Sequence, residues 1–106
     1  MIRLSILYPN IEGGRFDIDY YVHVHMPMSI EKLSPALKGV SVEQGFKVPE
    51  VPGVQPPYVA AAHMLFDSLD AFLAAFTPYA NDLQGDMPNY TDIQPIYQFG
   101  EVRILV

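Results

Sequence analysis

The chain contains no cysteine, which excludes disulfides, iron–sulfur clusters and thiolate metal sites. It is also short of charge. Only 17% of its residues are charged, against roughly 25% in an ordinary globular domain. Cations are scarcest: no Lys or Arg lies between residues 48 and 102, where Glu50, Asp67, Asp70, Asp82, Asp86, Asp92 and Glu101 all fall. With a net charge of −6, the basic footprint of a nucleic-acid binder is missing. No apolar run approaches the roughly 18 residues of a membrane span. Residues 1–9 have no long apolar core followed by a small-residue cleavage site, so no signal peptide is read and a cytoplasmic protein is the expectation. Phosphate loops, Gly-x-Gly-x-x-Gly and Gly-x-Ser-x-Gly are absent, so nothing calls for a nucleotide or acyl-enzyme chemistry, and no cofactor is expected.

What is present is apolar surface, 50% of 106 residues. That excludes intrinsic disorder and fits a single domain spanning residues 1–106. Residues 2–8 alternate, with Ile2, Leu4, Ile6 and Tyr8 on one face, and predict a half-buried strand. Asp17 is a good N-cap, and a helix is expected from there to about Leu33, kinked at Pro27. Val40 and Val42 mark a second strand over 37–48, followed by a Pro-rich surface loop over 49–57. Residues 58–66 make the strongest strand, apolar on both faces. Leu69, Phe72, Leu73 and Phe76 then recur at helical spacing behind the Asp67-Ser68 cap, predicting a core-facing stripe on a helix that bends at Pro78 and stops near Gly85. A last strand is expected over 93–105. The order β-α-β-β-α-β is the ferredoxin-like α+β arrangement, two helices on one face of a four-stranded antiparallel sheet.

That arrangement leaves one sheet face open, and an open face on a monomer is normally polar. Here it would carry Val59, Ala61, His63 and Leu65 with only Arg3 and Ser5 to wet it. A second copy is the economical cover, so a homodimer closing into a barrel is expected, with a small hydrophobic molecule in its cavity. The small residues Ala60, Ala61, Ala62 and Gly100 would leave that space.

Few residues carry chemistry. His23 and His25 lie two apart, rotated by roughly 200° on a helix, so they cannot share a metal ion, and no metal is expected. Asp17, Tyr21 and His25 recur every four residues on one helix face. His25 is open to two readings: a general acid/base beside the Tyr21 phenol, or a cap on carbonyls freed by Pro27. His63 is either a hydrogen-bonded core histidine or a group aimed into the cavity. Gln94 and Gln98, on one face of the last strand, present amides to a ligand or to a neighbouring strand. Tyr8, Tyr90 and Tyr97 are packing residues or polar handles at a cavity rim. Met64 lines an adaptable pocket or fills a gap. The acids at caps and loops, Asp67, Asp70, Asp82, Asp86 and Asp92, are read as solvated surface charge.

Arg15-Phe16-Asp17-Ile18-Asp19-Tyr20-Tyr21 followed by His25-Met26-Pro27 resembles the opening of EthD-domain proteins. Pro35 to Val40, Pro57 to Ala60 with Ala62-His63, Ser68 to Phe72, and Pro88 to Thr91 with Ile93-Gln94-Pro95 resemble that family's later segments, in order along nearly the whole chain. The resemblance implies a dimeric α/β barrel and a link to ethyl tert-butyl ether degradation beside a cytochrome P450 system. It implies an oxidoreductase or oxidoreductase-associated enzyme, with His25 at the position of the family's helix histidine. A carrier for a hydrophobic compound, or an acid/base cyclase, isomerase or dehydratase, are the alternatives.

Overall fold

A computed structural model describes residues 1–53 and 55–106; Val54, in the Pro-rich loop expected over 49–57, lies outside the described residues. Strand β1 (Ile2–Pro9) sits between β3 (Tyr58–Phe66) and β4 (Ile96–Glu101), and β2 (Leu37–Gln44) lies outside β3. All neighbours are antiparallel, in the order β2-β3-β1-β4. The alternation in β1 sets its faces: Leu4 pairs with Met64 and Phe99, Ile6 with Ala62 and Tyr97, all toward the helices. Gly45 closes β2, where a Cβ would collide with the Tyr58 carbonyl. The last strand is shorter than its apolar pattern indicates, and Gln94 lies in the loop before it rather than on a strand face.

Helix α1 has three parts: an α-turn Ile18–Tyr20, a π-turn Tyr21–His25 and an α-helical segment Met26–Leu33. The Asp17 carboxylate accepts from the Tyr20 N–H at 3.1 Å and starts it. Pro27 leaves one rung of the backbone ladder unmade. The helix takes up this defect as a wide turn just before it, with the Met26 N–H donating to the Tyr21 carbonyl. Tyr21, His25, Met26, Ser29 and Leu33 are buried by this helix, while Val22 and Val24 face solvent.

Helix α2 also has three parts: Leu69–Phe76, a 3₁₀ turn Thr77–Tyr79 at Pro78, and Ala80–Gly85. Ser68 caps it, accepting from the Ala71 N–H at 3.0 Å. Its buried side differs from the stripe expected from sequence. Leu69 and Leu73 are 47% and 45% exposed. The helix instead buries Phe72, with Ala75 and Phe76 packed beside it on the core. Phe72 lies edge-on to both Phe66 and Phe99, at 5.1 and 5.3 Å between ring centres.

The open sheet face has its own order. Gln98, Ser5, His63 and Ser41 are register partners on four successive strands, so they form one polar row across the sheet. The Ser5 hydroxyl and His63 Nδ1 are 2.8 Å apart. Leu7, Ala61 and Ile96 border the row on one side, and Leu65 and Arg3 on the other.

Phe66, with no exposure, anchors the core. Phe66→Ala is expected to cost about 3–5 kcal/mol in urea unfolding, whereas Leu69→Ala should stay within about 0.5 kcal/mol. Equal losses would show that α2 is turned the other way.

Candidate functional site

Between the helices and the sheet, within one chain, lies a cavity of about 230 Å³. Its walls are mostly apolar: Leu4 and Ile6 from β1, Met64 from β3, Leu33 from α1, and Phe72 and Leu83 from α2. The polar groups on it are His25, Ser29, Gln84, Tyr8, Tyr90 and Tyr97. Tyr97 and Phe99, on the edge strand, are about half exposed and form its mouth.

His25 is placed by the π-turn. Its ring stacks on Tyr21 at 5.4 Å and 14°, and the Tyr90 ring lies 4.7 Å away. The loop bearing Tyr90 is laced to the start of α1. The Asp17 N–H donates to the Tyr90 carbonyl at 2.7 Å, and the Thr91 hydroxyl donates to the Arg15 carbonyl at 2.6 Å. His25 Nδ1 is 2.9 Å from Asp86 Oδ2. The other Asp86 oxygen accepts from the Tyr20 hydroxyl at 2.7 Å and from the Asn89 amide at 2.9 Å. His25 therefore does not cap the carbonyls before Pro27; its ring is tied to the end of α2.

The electrostatics follow from these contacts. Burial pulls the Asp86 carboxyl upward. The hydrogen bonds from Asn89, Tyr20 and His25 together outweigh it, so Asp86 sits below the usual carboxylate range and is ionised at neutral pH. Burial lowers the His25 pKa, and the Asp86 contact offsets only part of that, so the ring is neutral at pH 7. An ionised Asp86 accepts from Nδ1–H, which leaves Nε2 as a lone-pair acceptor. Nε2 has no hydrogen-bond partner among the described residues.

The tyrosines are a different class of group. Tyr8 and Tyr90 share a hydrogen bond of 2.8 Å between hydroxyls. Burial raises the pKa of Tyr8, Tyr21 and Tyr90 far above the ordinary phenol value; Tyr90 raises Tyr8 further, Tyr21 offsets part of that, and Tyr8 raises Tyr21. They are donors, not bases. The Ser29 hydroxyl is used by the His25 carbonyl at 2.9 Å.

Of the residues singled out from sequence, His25, Tyr8, Met64, Tyr90 and Tyr97 line this cavity, and Tyr21 stacks beneath His25. His63 and Gln98 do not join them. They lie on the opposite face of the sheet, in the polar row, and line a second cavity of about 330 Å³ together with Arg3, Ser5, Glu101 and Arg103. Residues paired with even-numbered positions of β1 face the helices and those paired with odd positions face away, so no single site holds both histidines. Gln94 is exposed in the loop. Asp86, read from sequence as solvated charge, has a side chain only 14% exposed. One signal pointed to it: a carboxylate at a helix C-terminus opposes the helix dipole, a local conflict of the kind found at functional or strained positions.

The neutral His25 has a consequence for stability. Unfolded, the ring takes up its proton near pH 6.5; folded, it resists until lower pH. Stability should therefore fall as pH drops below about 6.5, by at most about 1.4 kcal/mol per pH unit from this group. In urea unfolding between pH 8 and 5, His25→Gln should lose this component. Asp86→Asn should move the His25 NMR titration midpoint still lower, because the charge that favours the protonated ring is gone. A rise in the midpoint would show that the Asp86 charge does not favour the protonated ring.

Comparison with known proteins places this geometry. The chain matches the EthD domain over residues 15–94. Over 97% of its length it resembles the crystal structure of an EthD-like protein from Ralstonia eutropha JMP134, with 38% identity, a TM-score of 0.90 and 92% of that chain covered. An ethyl tert-butyl ether degradation (EthD) family protein from Bacillus halodurans C-125 shares 18% identity at a TM-score of 0.64, covering 96% of this chain and 98% of that one. A dimeric protein of ferredoxin-like fold from Bacteroides fragilis NCTC 9343 shares the fold at a TM-score of 0.57 and 14% identity, covering 95% of each chain. No curated protein matches. By the extent of the domain match and the identity to the Ralstonia protein, the chain belongs to the EthD family.

Proposed function

We propose that this chain is an EthD-like enzyme that binds a small apolar or aromatic metabolite in the cavity beside His25 and takes a proton from it. The observation that carries this reading is the Asp86–His25 pair. It supplies a neutral imidazole with a fixed tautomer and an unoccupied Nε2 at the wall of an apolar cavity. That is the constitution of a general base working near neutral pH. Asp86 is the positioning residue. Removing a proton raises the electron density of an aromatic or enolisable substrate, which is the activation an oxidoreductase of this kind requires. It is equally the first step of an isomerisation or dehydration. Tyr8 and Tyr90, held neutral, would orient the substrate and donate to the developing negative oxygen.

The protein acts, in this reading, as a homodimer joined through the open sheet face. Leu7, Val59, Ala61 and Leu65 there are only half-buried in one chain, and the enclosed Arg3 Nε has no hydrogen-bond partner among the described residues. The polar row would give the two faces hydrogen bonds to exchange. A dimeric neighbour with this fold supports the assembly.

Native mass spectrometry of the purified protein should show twice the 11.9 kDa chain mass, and Leu65→Glu should yield a folded monomer. A monomeric wild type would overturn the assembly. The same measurement should reveal a co-purifying small molecule. When that molecule is supplied to the pure protein, it should be consumed, and His25→Ala should lower turnover by about 10²- to 10⁴-fold. Binding without consumption would make the chain a carrier. Unchanged turnover in His25→Ala would remove the histidine from the mechanism.

A further inference from the structure

We infer that the ligand of this cavity is an uncharged hydroxyarene of one or two fused rings, held by its hydroxyl between His25 Nε2 and the Tyr8–Tyr90 hydroxyl pair. This rests on the reading that the cavity beside His25 is the binding site, and adds which chemistry it selects.

Size sets the first limit. An apolar cavity of about 150 Å³ accepts benzene. The 230 Å³ here takes that ring with a second ring or a few substituents. The walls set the second. Leu4, Ile6, Met64, Phe72, Phe76 and Leu83 favour a flat apolar body.

The hydrogen-bond inventory sets the third. Nδ1 of His25 is occupied by Asp86, and Nε2 remains as one acceptor. The Ser29 hydrogen is committed to a backbone carbonyl, so that hydroxyl can only accept and adds to the demand for a ligand hydrogen. The two hydroxyls of Tyr8 and Tyr90 hold two hydrogens, one of which makes their mutual bond, leaving one to donate. Gln84 and Tyr97 are exposed and served by water, whereas the His25 acceptor and the phenol donor sit on rings 4.7 Å apart and are matched by a group that both donates and accepts. An aryl hydroxyl does so at one atom. A plain hydrocarbon would leave both wall groups unpaired, which is costly in a buried site.

Charge sets the fourth. No Lys, Arg, Asp or Glu is among the lining residues. The Asp86 carboxylate lies directly behind the imidazole. A carboxylate ligand would be buried without a cation and would face that negative charge across one ring. An arylcarboxylate is therefore rejected although its rings fit.

Three probes of one shape separate these terms: 2-naphthol, naphthalene and 2-naphthoate, titrated at pH 7.5 into the wild-type protein by calorimetry. 2-Naphthol is expected to bind tightest, naphthalene at least tenfold weaker, and 2-naphthoate weakest. Tyr90→Phe and His25→Leu should bring 2-naphthol toward the naphthalene affinity while leaving naphthalene itself little changed. Tyr90→Phe keeps the ring packing, so it stays informative if His25→Leu does not fold. Naphthoate binding as well as naphthol overturns the selection for a neutral hydroxyl, as does naphthalene matching naphthol; the cavity reading survives both. Failure of all three to bind overturns the cavity reading together with the inference.

Discussion

The hydrogen bond between His25 Nδ1 and Asp86 ties the first helix to the end of the second, and the electrostatics of the candidate site depend on it. Each group keeps the other in its useful state. Asp86 tolerates burial because three donors converge on it, and His25 stays neutral because burial outweighs the charge beside it. Were the histidine exposed, it would be half protonated near pH 6.5 and a poor acceptor below it. Were Asp86 solvated, the imidazole would have no fixed tautomer.

Support for that bond is backbone and aromatic, with the Arg15 guanidinium donating to the Pro88 carbonyl and the Asp92 carboxylate accepting from the Arg15 N–H, both at 2.7 Å. The segment from Asp86 to Ile93 is stitched to residues 15–17 by backbone bonds and by Thr91, whose hydroxyl donates to the Arg15 carbonyl and accepts from the Ile93 N–H. Within this frame Tyr8, Phe16, Tyr21 and Tyr90 meet edge to face. A cluster with few charged members suits a chain so poor in them: its polarity is concentrated where hydrogen bonds are made and is absent from the cavity walls.

Much of the fold was legible in the sequence because it rests on local signals. Strand Tyr58–Phe66 lies between Pro57 and the Ser68 cap, and both helix starts are marked by residues that do cap them. Position within a face was harder. The bulky stripe on the second helix pointed to Leu69 and Leu73, but Phe72, Ala75 and Phe76 are the residues turned to the core. The site was legible in its aromatic and histidine members on α1, which share one helix. Asp86 was not, because its contact with His25 closes over 61 residues and its neighbours in sequence, Gly85 and Met87, mark only a helix end. The separation of His63 from His25 follows from strand register, which no single strand displays.

The π-turn gives the first helix a phase as well as a shape. Each residue added to or removed from a helix turns everything beyond it by about 100°. The wide turn at Tyr21–His25 is thus a fixed offset between two halves: Asp17 and the aromatic frame hold one, and Met26, Ser29 and Leu33 hold the other in the core. The segment tolerates exchange of side chains far better than change of length. A chain one residue shorter there would keep both halves of its composition and lose the angle between them. In evolutionary terms the spacing from Asp17 to Pro27 is itself a site property, carried by the count of residues rather than by any one of them.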